Sequence, residues 1–102
     1  MFQWHYDGFA LPPGAVRIAT GSACANQAYL IDGRHLGMQF HCEITTAKIA
    51  RWLDRGGLAE IEQHRDSPAV QDAAQIAAGT AQWLGPSRTV AFRIYQRWLR
   101  CT

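Results

Sequence analysis

The pattern of apolar and polar positions changes period near residue 44. Before it, short apolar runs rich in β-branched residues alternate with glycine, proline and small polar residues; after it, apolar residues recur at helical spacing. Val16 to Thr20, after the turn signal Leu11-Pro12-Pro13-Gly14, predicts a strand, and Gln27 to Ile31, after the small polar stretch Gly21 to Asn26, predicts a second. Asp32-Gly33 then separates Ala28-Tyr29-Leu30-Ile31 from Arg34-His35-Leu36-Gly37-Met38-Gln39-Phe40-His41. This predicts a tight hairpin, because a type I′ turn needs positive φ at both central residues.

Along the second strand of that hairpin, Leu36, Met38, Phe40 and Cys42 fall on one face and Gly37, Gln39, His41 and Glu43 on the other. The first face predicts core. The second presents an imidazole and a carboxylate two positions apart, with Gly37 expected to leave the approach uncrowded.

Thr45 or Thr46 can cap a helix in which Ile49, Trp52 and Leu53 share a face, and Gly56-Gly57 interrupts it before a second stretch, Leu58 to Arg65. Ser67-Pro68 predicts the start of an alanine-rich helix running to Leu84, where Gly85-Pro86 ends it. A last helix, Ser87 to Cys101, places Phe92, Tyr95, Trp98 and Leu99 opposite Arg93, Arg97 and Arg100. Those arginines read as the solvated side of an amphipathic helix rather than a phosphate or RNA site, while the apolar side needs burial. The expected organisation is one α/β domain, with a β-rich segment over 1–44 and a helical segment over 45–102, and with no repeat or linker.

Composition narrows the class. The chain has 102 residues, 48% hydrophobic and 18% charged, which fits one globular domain and excludes a large multi-domain enzyme. Area scaling gives roughly 5,800 Å² folded against about 16,500 Å² unfolded, enough burial for one modest core. The absence of a long apolar run and of a basic start before an apolar core predicts neither signal peptide nor transmembrane helix, and a cytoplasmic location. A net charge of +2 calls for neither a nucleic-acid nor a membrane partner. Lys48 is the sole lysine, so lysine chemistry has one candidate. Cys24, Cys42 and Cys101 form an odd set without C-x-x-C, which suits free thiols in a reducing compartment. His5, His35, His41 and Cys42 match no zinc spacing, so neither metal nor cofactor is expected.

Gln39-Phe40-His41-Cys42-Glu43 carries the candidate chemistry. A histidine acts as a base when something fixes its tautomer, and a carboxylate at the second ring nitrogen does so. The spacing alone leaves a structural or solvated histidine open.

Several segments raise the catalytic reading together: Met1-Phe2-Gln3-Trp4-His5-Tyr6-Asp7, Leu11-Pro12-Pro13-Gly14-Ala15, Ala19-Thr20-Gly21-Ser22-Ala23-Cys24, Asn26-Gln27-Ala28, and Leu36-Gly37-Met38-Gln39-Phe40-His41-Cys42-Glu43. In order and gaps they resemble the C-terminal half of the class I glutamine amidotransferase domain, nearest to stand-alone, GMP synthase-like amidotransferases. The likeness covers residues 1 to about 55 and fades over the helical tail. It implies part of a flavodoxin-like α/β sandwich that hydrolyses the amide of glutamine and passes ammonia to an acceptor through a Cys/His/Glu triad. It makes His41 the general base and acid and Glu43 the residue that orients it. It places His5 and Asp7, in a W-H-x-D-like stretch, on the substrate side, with a structural role for His5 in its own turn as the alternative; Tyr6 stands where the family more often has glycine.

The family's nucleophile lies in an upstream G-x-C-x-G-like elbow, and no cysteine here has such flanks, so the chain is expected to be inactive alone. Cys42 replaces a proline of the family's motif; on an extended strand it points away from His41 and is expected in the core, as is Cys24 by packing. Two other readings remain: a non-catalytic oligomerising or regulatory module that self-associates through strand edges, and a γ-glutamyl hydrolase-like peptidase relative.

Overall fold

A computed structural model describes residues 1–100, so the expected helix end and free thiol at Cys101 lie outside the described residues. Three strands, β1 (Ala15–Ala19), β2 (Ala28–Ile31) and β3 (His35–Met38), form an antiparallel sheet in the order β1-β2-β3. Asp32 and Gly33 have φ of 52° and 66°, and Arg34 N donates to Ile31 O at 3.0 Å, so the reversal is built on the positive-φ pair. Val16 pairs with Leu30 and Leu30 with Leu36, which puts these three apolar side chains on one side of the sheet.

On the other side Tyr29 pairs with Gly37, and its ring lies across the glycine so closely that a Cβ there would sit 2.4 Å from it. The approach over Gly37 is therefore covered, contrary to the open face expected. β3 also stops at Met38, four residues short of Cys42. After Met38 the backbone leaves the ladder: Gln39 N donates to Gln27 O at 2.9 Å and His41 N to Phe2 O at 2.9 Å. Strand alternation thus does not govern His41 and Glu43.

The helical part begins as predicted. Thr45 caps α1 (Thr46–Trp52), its Oγ1 accepting from Lys48 N at 3.2 Å. A kinked segment, Leu53–Gly57, leads into α2 (Leu58–Gln63), with Gly56 at φ 110°, a conformation glycine tolerates without a Cβ clash.

The next boundary differs from expectation. Ser67 closes only a turn, with Val70 N donating to Ser67 O at 3.1 Å, and α3 (Ala73–Arg100) starts later. Its start is a reciprocal cap: Gln75 N donates to Asp72 Oδ1 at 2.8 Å and Asp72 N to Gln75 Oε1 at 2.9 Å. α3 then runs through Pro86 as one helix of 28 residues where two were expected, because its flanking residues keep their helical bonds and only the proline's own donor is missing.

The core is small. Ala28, Cys42, Ile44, Ile49 and Ala91 are at most 5% exposed, whereas Phe92, Leu99, Trp98 and Tyr95 are 40% exposed or more, as are Val16 and Ile18 of β1. The accessible surface is 7437 Å², well above the roughly 5,800 Å² of a compact chain of this mass. The expected apolar burial of the last helix is therefore not met: Ala91 is its buried residue. The architecture is α/β, an antiparallel sheet followed by helices.

Candidate active site

His41 is held from three directions. Its backbone bridges to Phe2, and its half-buried ring packs edge-on against Trp52 with centroids 5.1 Å apart. A turn at Cys42 and Glu43 brings the third partner: Nδ1 lies 2.9 Å from Glu43 Oε1. A carboxylate only accepts, so Nδ1 carries the proton and the Nε2 lone pair is exposed to incoming chemistry. Among the described residues no hydrogen bond reaches Nε2.

Partial burial of Glu43 disfavours its charge, but the His41 hydrogen bond, a backbone hydrogen bond and the charges of His41 and Lys48 outweigh it. The carboxyl is held below its usual range. Lys48 Nζ stands 3.5 Å from the same Oε1. Glu43 is thus an anion fitted to orient an imidazole and to stabilise the imidazolium when His41 takes a proton.

Around them stands a wall of aromatic rings. Phe2, Trp4 and Trp52 have mutual centroid distances of 6.0 to 6.3 Å. A cleft of about 370 Å³ opens here, lined by Trp4, His41, Trp52, Arg55, Gly57 and Glu60. Gly57 makes it possible: a Cβ there would lie 2.6 Å from Trp52 O and 2.8 Å from the Trp4 ring. Trp4 Nε1 donates to Glu60 Oε2 at 3.2 Å, which ties the N-terminal segment to α2. A hydrogen bond with Glu60, then burial and the Glu60 charge, raises the Tyr6 phenol above its usual value.

His5 and Asp7 stand apart from this cleft. His5 Nδ1 meets Asp7 O and Nε2 meets Gln3 Oε1, each at 2.8 Å, so both ring nitrogens are engaged inside the local turn. Asp7 is exposed. Cys42 is buried, its Sγ 3.3 Å from Tyr95 Oη and 3.7 Å from Met38 Sδ, which turns the thiol toward α3 and away from His41. Cys24 Sγ accepts from Gln39 Nε2 at 3.5 Å in a network that also joins Gln39 to Asn26 O at 2.8 Å. His35 begins β3 and lines a second cavity, of about 360 Å³, with Leu36, Met38, Tyr95 and Trp98. Among the described residues no group of three or more His, Cys, Asp or Glu side chains is placed to hold a metal ion.

Sequence reasoning paired His41 with Glu43 but missed Trp4, Trp52, Lys48, Arg55 and Glu60 as their surroundings. Trp52 reads as a core position of α1, and nothing local joins Trp4 to Glu60 across 56 residues. The one available signal was Lys48 four residues before Trp52, a spacing that shares a helix face.

The antiparallel hairpin sheet followed by helices matches part of the fold of a solved glutamine amidotransferase. The chain is similar to the solved structure of a glutamine amido transferase from Methylobacillus flagellatus, at TM-score 0.86 and 30% identity over 98% of this chain. The chain spans 41% of that protein's length. No family model and no curated protein matches the sequence. Among the described residues no helix is long and apolar enough to cross a membrane.

Proposed function

We propose that the chain carries the His/Glu half of a class I, GMP synthase-like glutamine amidotransferase site, with His41 as general base and acid and Glu43 as its orienting carboxylate. The observation that carries this reading is the 2.9 Å contact between His41 Nδ1 and Glu43 Oε1 in a chain 30% identical to a glutamine amidotransferase. In the reaction a cysteine thiol gives its proton to His41 Nε2 and attacks the amide carbon of glutamine. His41 returns that proton to the departing nitrogen, releasing ammonia and leaving a thioester. His41 then takes a proton from water, the hydroxide attacks the thioester, and glutamate and the free thiol result. Glu43 stabilises the imidazolium in both steps.

The thiols described here do not suit the nucleophile's part, since Cys42 faces Tyr95 and Cys24 faces Gln39 and Asn26. The reading therefore draws the nucleophile and the oxyanion donors from a complementary segment, with ammonia passed to an acceptor in the cytoplasm. His5 and Asp7 enter it as a turn beside the substrate side. The 102-residue chain alone is expected to release no ammonia from glutamine, whereas the chain extended by a segment that carries the nucleophile elbow does. His41→Ala in the extended protein should lower kcat by about 10²- to 10⁴-fold. Ammonia release by the short chain would remove the need for a complementary nucleophile, and an undiminished His41→Ala rate would overturn the site.

A second reading, a self-associating module, is favoured by the exposure of Phe92 at 61% and Trp98 at 43% on α3 and of Val16 at 65% on the edge strand β1. Sedimentation separates the two, because a folded monomer at low concentration counts against the module.

A further inference from the structure

We propose that Lys48 is a positioning residue of the His41 and Glu43 pair, pinning the Glu43 carboxylate in the rotamer that meets His41 Nδ1. The proposal deepens the reading above and rests on it. Two N–H groups converge on one oxygen: His41 Nδ1 at 2.9 Å and the Lys48 ammonium Nζ at 3.5 Å from Glu43 Oε1. The glutamate side chain is 45% exposed, and left alone it would sample several rotamers.

Lys48 is itself held. Its ammonium lies 5.3 Å from the centroid of the Trp52 ring one helical turn further on, and that ring packs 5.1 Å from His41. Trp52 is thus a common wall for the imidazole and the ammonium, which fixes where the carboxylate between them must lie.

The position is otherwise a poor one for lysine. Lys48 N is the donor to the Thr45 cap, so the residue stands in the first turn of α1, where the helix dipole favours anions, and that turn has no acidic residue to offset it. Glu43, two residues before the cap, supplies the compensating charge. The charged groups facing the pair are Lys48 on Glu43, and Arg55 and Glu60 across the cleft from His41.

The test uses the 102-residue chain and needs no turnover. The Glu43 carboxyl is titrated by carbon-detected NMR, and the His41 tautomer is read from its ring ¹⁵N shifts, in the wild type, Lys48→Met and Lys48→Arg. With Lys48→Met the Glu43 midpoint is expected to rise by about half a pH unit, the size of one partly exposed charge a few ångströms away, and His41 to change from one tautomer to a mixture. Lys48→Arg, which keeps the charge, is expected to restore both. A Glu43 midpoint unmoved in Lys48→Met, or a single His41 tautomer kept in it, overturns the positioning role. Neither outcome touches the kinetic test of His41→Ala in the extended protein, so the two ideas fail separately.

Discussion

Phe2, Trp4 and Trp52 surround His41 with ring centroids 6.0 to 6.3 Å apart, whereas Phe92, Tyr95 and Trp98 on α3 are 40 to 61% exposed. Both regions are rich in aromatic residues, and they differ in what lets the rings close on one another. Around His41 the chain brings three segments together: the N-terminal bridge from Phe2, the first helix and the kink at Arg55 and Gly56. Gly57 then removes the one side chain that would keep Trp4 from Trp52. α3 has no such reversal. Its meeting with the rest of the molecule includes the buried Ala91, Tyr95, whose hydroxyl reaches Cys42, and Trp98 beside the His35 end of β3. Ring packing at the candidate site is therefore set by backbone shape, and the geometry of His41 does not draw on the aromatic residues of α3.

The largest expected effect lies in α3. Pro86 has no N–H for Gln82 O, and its ring crowds that carbonyl, so Pro86→Ala should stabilise the chain by up to about 3 kcal/mol in thermal unfolding. The His41 ring signals should stay unchanged, since α3 does not shape them. A shifted His41 signal would break the separation between the two regions.

Gly57→Ala acts on the other side of the comparison. The new methyl meets Trp52 O, a backbone atom that cannot move aside, and a loss of about 2 kcal/mol is expected in denaturant unfolding, with altered near-ultraviolet dichroism from Trp4 and Trp52. Gly37→Ala is a sharper control. Its Cβ would fall closer still, 2.4 Å from Tyr29, but onto a ring that can swing outward, so about 1 kcal/mol is expected. An equal cost at the two glycines would show that proximity, not the rigidity of the neighbour, decides.

The same contrast explains what was legible beforehand. Asp32-Gly33 and Thr45 act through their immediate neighbours, so the hairpin and the start of α1 were readable from local chemistry. The reciprocal cap of Asp72 and Gln75 was equally local, but Ser67-Pro68 offered a competing start that the structure uses only as a turn. Pro86 reads as a helix end from its local chemistry, yet a helix of 28 residues carries its cost and runs on through it. His41 and Glu43 were paired by strand alternation, yet β3 ends at Met38 and the contact arises from the Phe2 bridge and the turn after it. The rest of the cleft depends on contacts between residues far apart, such as Trp4 with Glu60, which no local pattern encodes.

The smallest expected effects are in pH, and they divide the regions by sign. Glu43 titrates below its ordinary 4.5 in the fold, where slight burial is outweighed by His41, a backbone hydrogen bond and Lys48. Its contribution is present above the unfolded value and is lost as pH falls through the folded one, so the site region weakens in acid. Tyr95 moves the other way: the hydrogen bond with Cys42, then burial and the negative charges of Cys42 and Glu43, push its phenol from 10.0 up to about 12. Its contribution is present below 10.0 and is lost as pH rises through about 12, so the contact of α3 with Cys42 weakens in alkali. Thermal unfolding across pH should therefore show an acid limb flattened by Glu43→Gln, which also trims the alkaline limb slightly because its charge acts on Tyr95, and an alkaline limb flattened by Tyr95→Phe, which leaves the acid limb in place. If Tyr95→Phe flattened the acid limb as well, the His41 and Glu43 pair would depend on α3, and the separation of the two regions seen in their aromatic packing would fail at its most sensitive point.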